Sequence, residues 1–158
     1  MTVCAALITP EGCWMGADSL AADESLGSLS ATPKVGRFGD LLIGFAGSWK
    51  AGEQMFDLAS KAHMPTMRQL LDNFQTEAKD YSFLFIEDGK IYEVDDELAA
   101  VWVLEQEGVA YGAIGSGAPV ALGSLYVCHD DESALMQALE AAEAHVPTVR
   151  GPFRLVTL

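Results

Sequence analysis

The spacing of the apolar residues changes period repeatedly along this chain, and the order of those changes restricts the fold more than any single motif. Residues 2–9 and 13–18 are short apolar segments rich in Val, Ile, Leu, Trp and Met, joined by the turn signal "PEG". They read as a strand pair. "ADESLGSLSATP" is small and polar and reads as loop, whereas "KVGRFGDLLIGFAG" reads as two further strands about a Gly-Asp turn. Helical spacing then takes over. Met55, Phe56, Leu58, Ala59 and Ala62 define one helix from Trp49 to Ala62. Met67, Leu70, Leu71, Phe74 and Ala78 define a second, with Pro65 suited to its first turn. "YSFLFIEDGKIYEV" returns to strand, and Asp88-Gly89 suits a tight hairpin because both residues tolerate positive φ. "AAVWVL" and "GVAYGAIG" continue as strands. "APVALGSLYV" reads as a helix. So does "DDESALMQALEAAEA", with acidic residues at the favourable end of its dipole and Pro147 beyond its other end. "PFRLVTL" closes the chain as a strand.

Grouped strands and grouped helices argue against a parallel doubly wound sheet, which needs the two to alternate. The expected architecture is α+β: a four-layer αββα sandwich of two antiparallel sheets flanked by helix pairs. No repeat or linker divides residues 1–158, so one domain is expected.

Charge narrows the partners. Nine basic and 23 acidic side chains give 9 − 23 = −14, which repels phosphate backbones and anionic lipid surfaces. Neither nucleic acid nor a membrane is an expected partner. No apolar run approaches the roughly 18–20 residues of a membrane span, and the start of the chain lacks a signal peptide's pattern. Cys4, Cys13 and Cys128 are odd in number and show no metal-ligand spacing, so buried free thiols and a cytoplasmic location are expected. No motif implies a cofactor.

The chemistry starts at Thr2. If Met1 is removed, which a small second residue permits, Thr2 carries a hydroxyl and a free α-amine on one residue. A threonine hydroxyl is a weak nucleophile until a base takes its proton. An α-amine, with an ordinary pKa of about 7.7–8.0, is a usable base near neutral pH. A nearby lysine ammonium disfavours protonation of that amine, and a buried lysine in turn needs a carboxylate partner. Asp18 ends the strand that pairs with the first, and Lys34 opens the next strand. "GFAGS" leads from strand to helix, so the Gly47 N–H is a candidate donor to an oxyanion. "IGSG" places Ser116 in a similar turn, where its hydroxyl could relay a proton. Taken singly, each residue has a plainer reading as a turn, surface or packing residue.

Together, "T…GADS…PKV…GFAGS…IGSG" resembles the β-type subunits of proteasomes, and most of all the bacterial HslV (ClpQ) peptidase branch. The spacings from Thr2 to Asp18 and to Lys34 match that pattern without a gap; Gly47 requires a one-residue shortening. The resemblance runs the whole length. It implies a threonine-type N-terminal nucleophile hydrolase that cuts polypeptides. In that scheme Thr2 attacks, its amine shuttles the proton, Lys34 tunes Thr2 and Asp18 holds Lys34. Gly47 stabilises the oxyanion and Ser116 supports the amine. The resemblance also implies a homo-oligomeric ring fed by an ATP-dependent unfoldase, no cofactor, and Ala21, Phe45 and Trp49 near the pocket for the side chain preceding the cut. One departure stands out. Many members place a further Asp and Ser after the penultimate helix, where this chain reads "AAEAHVPTVRGPF", with Thr148 the nearest hydroxyl. The competing expectations are a catalytically silent structural subunit and an N-terminal nucleophile amidase acting on a small-molecule amide.

Overall fold

A computed structural model describes residues 2–21, 28–29 and 32–158, and its first strand, β1 (Cys4–Thr9), is buried along its whole length. A strand buried on both faces needs a layer above it and a layer below, because successive side chains point to opposite sides. Cys4, Ala6 and Ile8 point one way, into a cluster that includes Met15, Leu42, Leu84 and Ile86. Val3, Ala5 and Leu7 point the other way, against Ala121, Leu125, Leu135 and Leu139.

The same alternation organises the second sheet. Strand β6 (Leu41–Gly47) and strand β7 (Tyr81–Glu87) send Leu42, Ala46, Leu84 and Ile86 toward β1. They send Ile43, Phe45, Phe83 and Phe85 outward against Ala51, Met55, Ala59 and Leu70. Three apolar clusters therefore separate four layers, as the grouped sequence pattern requires. The layers are helices, a sheet, a second sheet and helices.

The sheet carrying β1 has the order β10-β1-β2-β11, with β2 (Gly12–Ala17), β10 (Ala110–Ile114) and β11 (Arg154–Thr157). The other runs β5-β6-β7-β8-β9, with β5 (Val35–Phe38), β8 (Lys90–Val94) and β9 (Ala100–Trp102). All the recorded pairings are antiparallel. A two-residue strand β3 (Leu20–Ala21) pairs with β4 (Ser28–Leu29), and β4 lies within the stretch 22–33 expected to be loop. The rest of that stretch up to residue 31 lies outside the described residues. The β7–β8 turn has φ of 50° at Asp88 and 68° at Gly89, the pair of positive values a two-residue hairpin uses.

Helices α3 (Ala118–Val127) and α4 (Glu132–His145) cover the first sheet, and the Asp131 side chain caps α4 by accepting from Ser133 and Ala134 N–H. Helix α1 (Trp49–Lys61) and helix α2 (Met67–Asn73) cover the second. Helix α2 is shorter than the periodicity through Ala78 suggests. Phe74 leaves the helix in an extended conformation and buries its ring against Phe83 (5.3 Å between centroids) and Tyr81 (5.8 Å). Tertiary burial of one aromatic outweighs another helical turn. Pro65 likewise falls before the helix, whose N-cap is Thr66.

The three cysteines are free, but only Cys4 is fully buried; Cys13 and Cys128 are partly exposed. Burial pushes the Cys4 thiol far up, and the Asp18 charge adds to the effect. The two sheets meet most tightly beside it. A Cβ on Gly44 would press on the Cys4 sulfur and lie 2.9 Å from Met15 Sδ. Gly44→Ala is therefore expected to lower stability by about 1–3 kcal/mol, read as a lower urea midpoint at unchanged slope. An unaltered midpoint would show that the sheets part more easily than this packing implies.

Candidate active site

The β1–β2 hairpin brings the first two site residues together by register alone. Cys4 pairs with Ala17, so the residue after Ala17 lies opposite the residue before Cys4, and the Asp18 N–H donates to the Val3 carbonyl at 3.2 Å. Asp18 is 2 % exposed and its carboxylate is densely solvated by protein. Oδ1 accepts from the Thr2 hydroxyl, from Val3 N–H at 3.2 Å and from Lys34 Nζ at 2.9 Å. Oδ2 accepts from Leu20 N–H at 3.2 Å and, at 3.5 Å, from Arg150 N–H.

Lys34 comes from the other sheet. Its carbonyl accepts from Phe45 N–H at 3.0 Å, extending the β5–β6 ladder, while its side chain crosses to the end of β1. The three ammonium protons have three acceptors: Thr2 Oγ1, Asp18 Oδ1 and the Leu20 carbonyl at 2.6 Å. A lysine that is 3 % exposed needs this full complement. Burial lowers its pKa below the ordinary lysine value, opposed by the charge and hydrogen bond of Asp18. The Trp49 ring, 5.6 Å from Nζ, closes the remaining side.

Ser116 reaches Thr2 from the β10–α3 turn. Its hydroxyl accepts from Thr2 N–H at 3.2 Å and lies 3.3 Å from the Thr2 carbonyl, which also accepts from Gly117 N–H at 3.1 Å. This wrapping requires glycine at 115, where φ is +91° and a Cβ would collide with the Thr2 carbonyl. Ser116 has a further partner, Thr148 Oγ1 at 2.9 Å. With a single proton to give, Ser116 donates either to the Thr2 carbonyl or to Thr148, so its hydroxyl can switch direction. Thr148, in the loop after α4, is the hydroxyl that the fold brings to Ser116. The sequence offered no signal for it beyond being a hydroxyl in the right loop.

Gly47 stands across the site from Ser116. Its φ is +86°, and any Cβ would strike the Asp80 carbonyl. Strand alternation puts its N–H on the same edge of β6 as that of Phe45, which faces Lys34.

The substrate-pocket candidates separate. Phe45 is 1 % exposed and belongs to the core beneath α1, touching the half-buried Trp49 edge-to-face at 5.3 Å. It shapes that surface only through Trp49. Ala21 lies in β3, one residue beyond the carbonyl that accepts from Lys34.

The arrangement thus has a hydroxyl bonded at once to an ammonium and a carboxylate, with its own backbone nitrogen held by a second hydroxyl. Among the described residues no group of His, Cys, Asp and Glu side chains is placed to hold a metal ion, and no helix is long and apolar enough to cross a membrane.

No protein-family model and no curated protein matches the chain. Solved structures do match. BPH of Thiobacillus denitrificans in complex with epoxomicin superposes with a TM-score of 0.79 at 18 % identity, covering 100 % of this chain and 98 % of that one. The eukaryotic HslV of Trypanosoma brucei gives 0.76 at 18 % identity, covering 99 % and 98 %. An Anbu (Gly-1) mutant from Hyphomicrobium sp. strain MC1 gives 0.77 at 14 % identity, covering 100 % and 81 %. The fold is thus the αββα sandwich of the proteasome-type N-terminal nucleophile proteins. At these identities the likeness extends to the fold, and the chemistry rests on the site.

Proposed function

We propose that this protein is a threonine peptidase whose nucleophile is Thr2 after removal of Met1. The observation that carries the reading is the contact of the Thr2 hydroxyl with both Lys34 Nζ and Asp18 Oδ1, in a cluster where every member is buried. A threonine kept merely for packing does not call for a buried ion pair, whose desolvation is costly.

With residue 1 in place, the Thr2 nitrogen is an amide and has no basicity. Asp18 Oδ1 is then the hydroxyl's one proton acceptor among the described residues. Excision of residue 1 turns that nitrogen into an amine, a second acceptor attached to the nucleophile itself. It also removes the group bonded directly beside a hydroxyl whose residue is 1 % exposed. The ammonium of Lys34 stabilises the developing alkoxide and lowers the amine's proton affinity. Oγ1 then attacks the peptide carbonyl, and the oxyanion is met by the Gly47 N–H. The amine passes the proton to the leaving nitrogen, and water hydrolyses the ester by the reverse route. Ser116 orients the amine throughout and exchanges hydrogen bonds with Thr148. Assembly into a homo-oligomeric ring, served by an ATP-dependent unfoldase, belongs to the same proposal.

Hydrolysis of casein and of fluorogenic peptides by protein whose first residue is Thr2 tests this reading. Turnover supports it. No turnover of either substrate sinks it in favour of a silent subunit, and turnover confined to small-molecule amides would identify an amidase. The relay yields a finer prediction. Thr148→Val keeps the volume and removes the hydroxyl, and is expected to lower kcat about tenfold at unchanged KM, with a displaced pH profile. Identical kcat and pH profile would remove Thr148 from the relay.

A further inference from the structure

Ser19, the residue after Asp18, is 4 % exposed and has no part in the mechanism above. A serine so deeply buried has to place its hydroxyl proton on an acceptor within the protein. The β2–β11 ladder ends at the pair Ala17 and Arg154, and beyond it the two chains are joined through Ser19. The Ser19 N–H donates to the Arg150 carbonyl at 3.0 Å, and its hydroxyl donates to the Pro152 carbonyl at 2.5 Å. Proline brings no N–H to a ladder. The Ser19 side chain therefore continues a connection that backbone pairing drops.

The segment gripped in this way is the loop 146–153 between α4 and β11, and it touches both halves of the site. Thr148 Oγ1 lies 2.9 Å from Ser116 Oγ, and the Arg150 N–H approaches Asp18 Oδ2 at 3.5 Å. A bond of that length is at the far limit of hydrogen bonding, so a loop displaced by a few tenths of an ångström would lose it. The first half of the loop is anchored on the helix side. Val149 is 3 % exposed, donates to the Val146 carbonyl at 3.0 Å, and has its Cγ2 3.0 Å from where a Cβ on Gly117 would stand. The Gly151 N–H donates to Glu143 Oε1, on α4, at 2.9 Å. Ser19 supplies the opposing anchor, from the chain that leads out of β2 through Asp18.

We propose that Ser19 is a positioning residue of the active site, whose two hydrogen bonds set the 146–153 loop so that Thr148 meets Ser116 and the Arg150 N–H meets Asp18. The inference rests on the peptidase reading. Ser19 acts through Thr148 and Asp18 rather than on the reacting atoms.

Two measurements on Ser19→Ala separate this inference from the reading beneath it. The first is amide hydrogen exchange over residues 148–151, followed by mass spectrometry and needing no turnover. Exchange is expected to be about tenfold faster than in the parent. An unchanged rate overturns the inference whether or not the protein proves to be a peptidase. The second is kinetic, in protein beginning at Thr2. Ser19→Ala is expected to lower kcat about tenfold at unchanged KM, with the same displacement of the pH profile as Thr148→Val. The double variant should also fall about tenfold, not the roughly hundredfold of two independent losses, because both changes act on one relay. Losses that multiply, or a faster-exchanging loop with the parent's kcat and pH profile, would make Ser19 structural only and leave the peptidase reading standing. Absence of turnover in the parent sinks that reading instead, and the catalytic role of this clamp with it.

Discussion

Thr2→Ala protein is expected to lose peptide hydrolysis by a factor of roughly 10⁴ or more while keeping its fold, because the nucleophile is irreplaceable in a covalent mechanism. The fold survives because the side chain lost is small and the sheets are held by the apolar clusters on either side of β1. The change is not free. Lys34 loses one of its three acceptors, and an unpaired buried donor costs about 1–3 kcal/mol. Circular dichroism and a denaturation midpoint will separate that modest loss from the catalytic one. Thr2→Ser is the informative companion, since it retains the hydroxyl and drops only the methyl that packs where a Gly115 side chain would stand. Activity should return in large part. A Thr2→Ala variant with activity near that of the parent would remove Thr2 from the chemistry altogether.

Lys34→Met is expected to cost both activity and stability. Removing the ammonium leaves the Asp18 carboxylate, 2 % exposed, without its counter-charge. Breaking a buried pair from one side is typically worth about 3–5 kcal/mol. The double variant Asp18→Asn with Lys34→Met removes both charges and should recover much of the stability while remaining inactive. That split is the diagnostic outcome, since a purely structural pair would lose nothing else. The pH dependence has a definite sign. Burial lowers the folded-state pKa of Lys34 below the ordinary 10.5. Between the lowered value and 10.5 the unfolded chain binds more protons than the folded one, so this group's contribution rises with pH across that window and is lost as pH falls through the folded value. Lys34→Met should lack that rise. Full activity in Lys34→Met would contradict the role given to the ammonium.

How much of this was legible in the sequence depends on how far apart the partners lie. Thr2 and Asp18 were legible because a hairpin's register is local arithmetic: the "PEG" turn fixes which residue faces which. The Asp88-Gly89 hairpin was legible for the same reason, whereas Asp131, the α4 N-cap, was read only as one of the acids at the favourable end of that helix. Lys34 is different. It reaches Thr2 from the opposite sheet, so no local register places it there; it was a candidate as the basic residue opening the next strand, and sheet stacking brings it into contact. Asp18 was read as the partner of Lys34 alone, whereas it also accepts from the nucleophile. Helix α2 was overextended because its periodicity continues past the point where Phe74 finds a better burial in the aromatic cluster. Thr148 was legible only as the nearest hydroxyl after the penultimate helix; its contact with Ser116 joins two loops whose meeting is decided by the layers beneath them.

An epoxyketone peptide offers two electrophilic carbons, one suited to an oxygen and the other to an amine, and so interrogates both atoms of the nucleophile at once. Mass mapping of active protein after treatment should find a chain that begins at Thr2, with one equivalent of the reagent on that residue. The unmodified threonine should persist where residue 1 is retained. Active material that still carries Met1, or a label that maps to any other residue, would contradict the account.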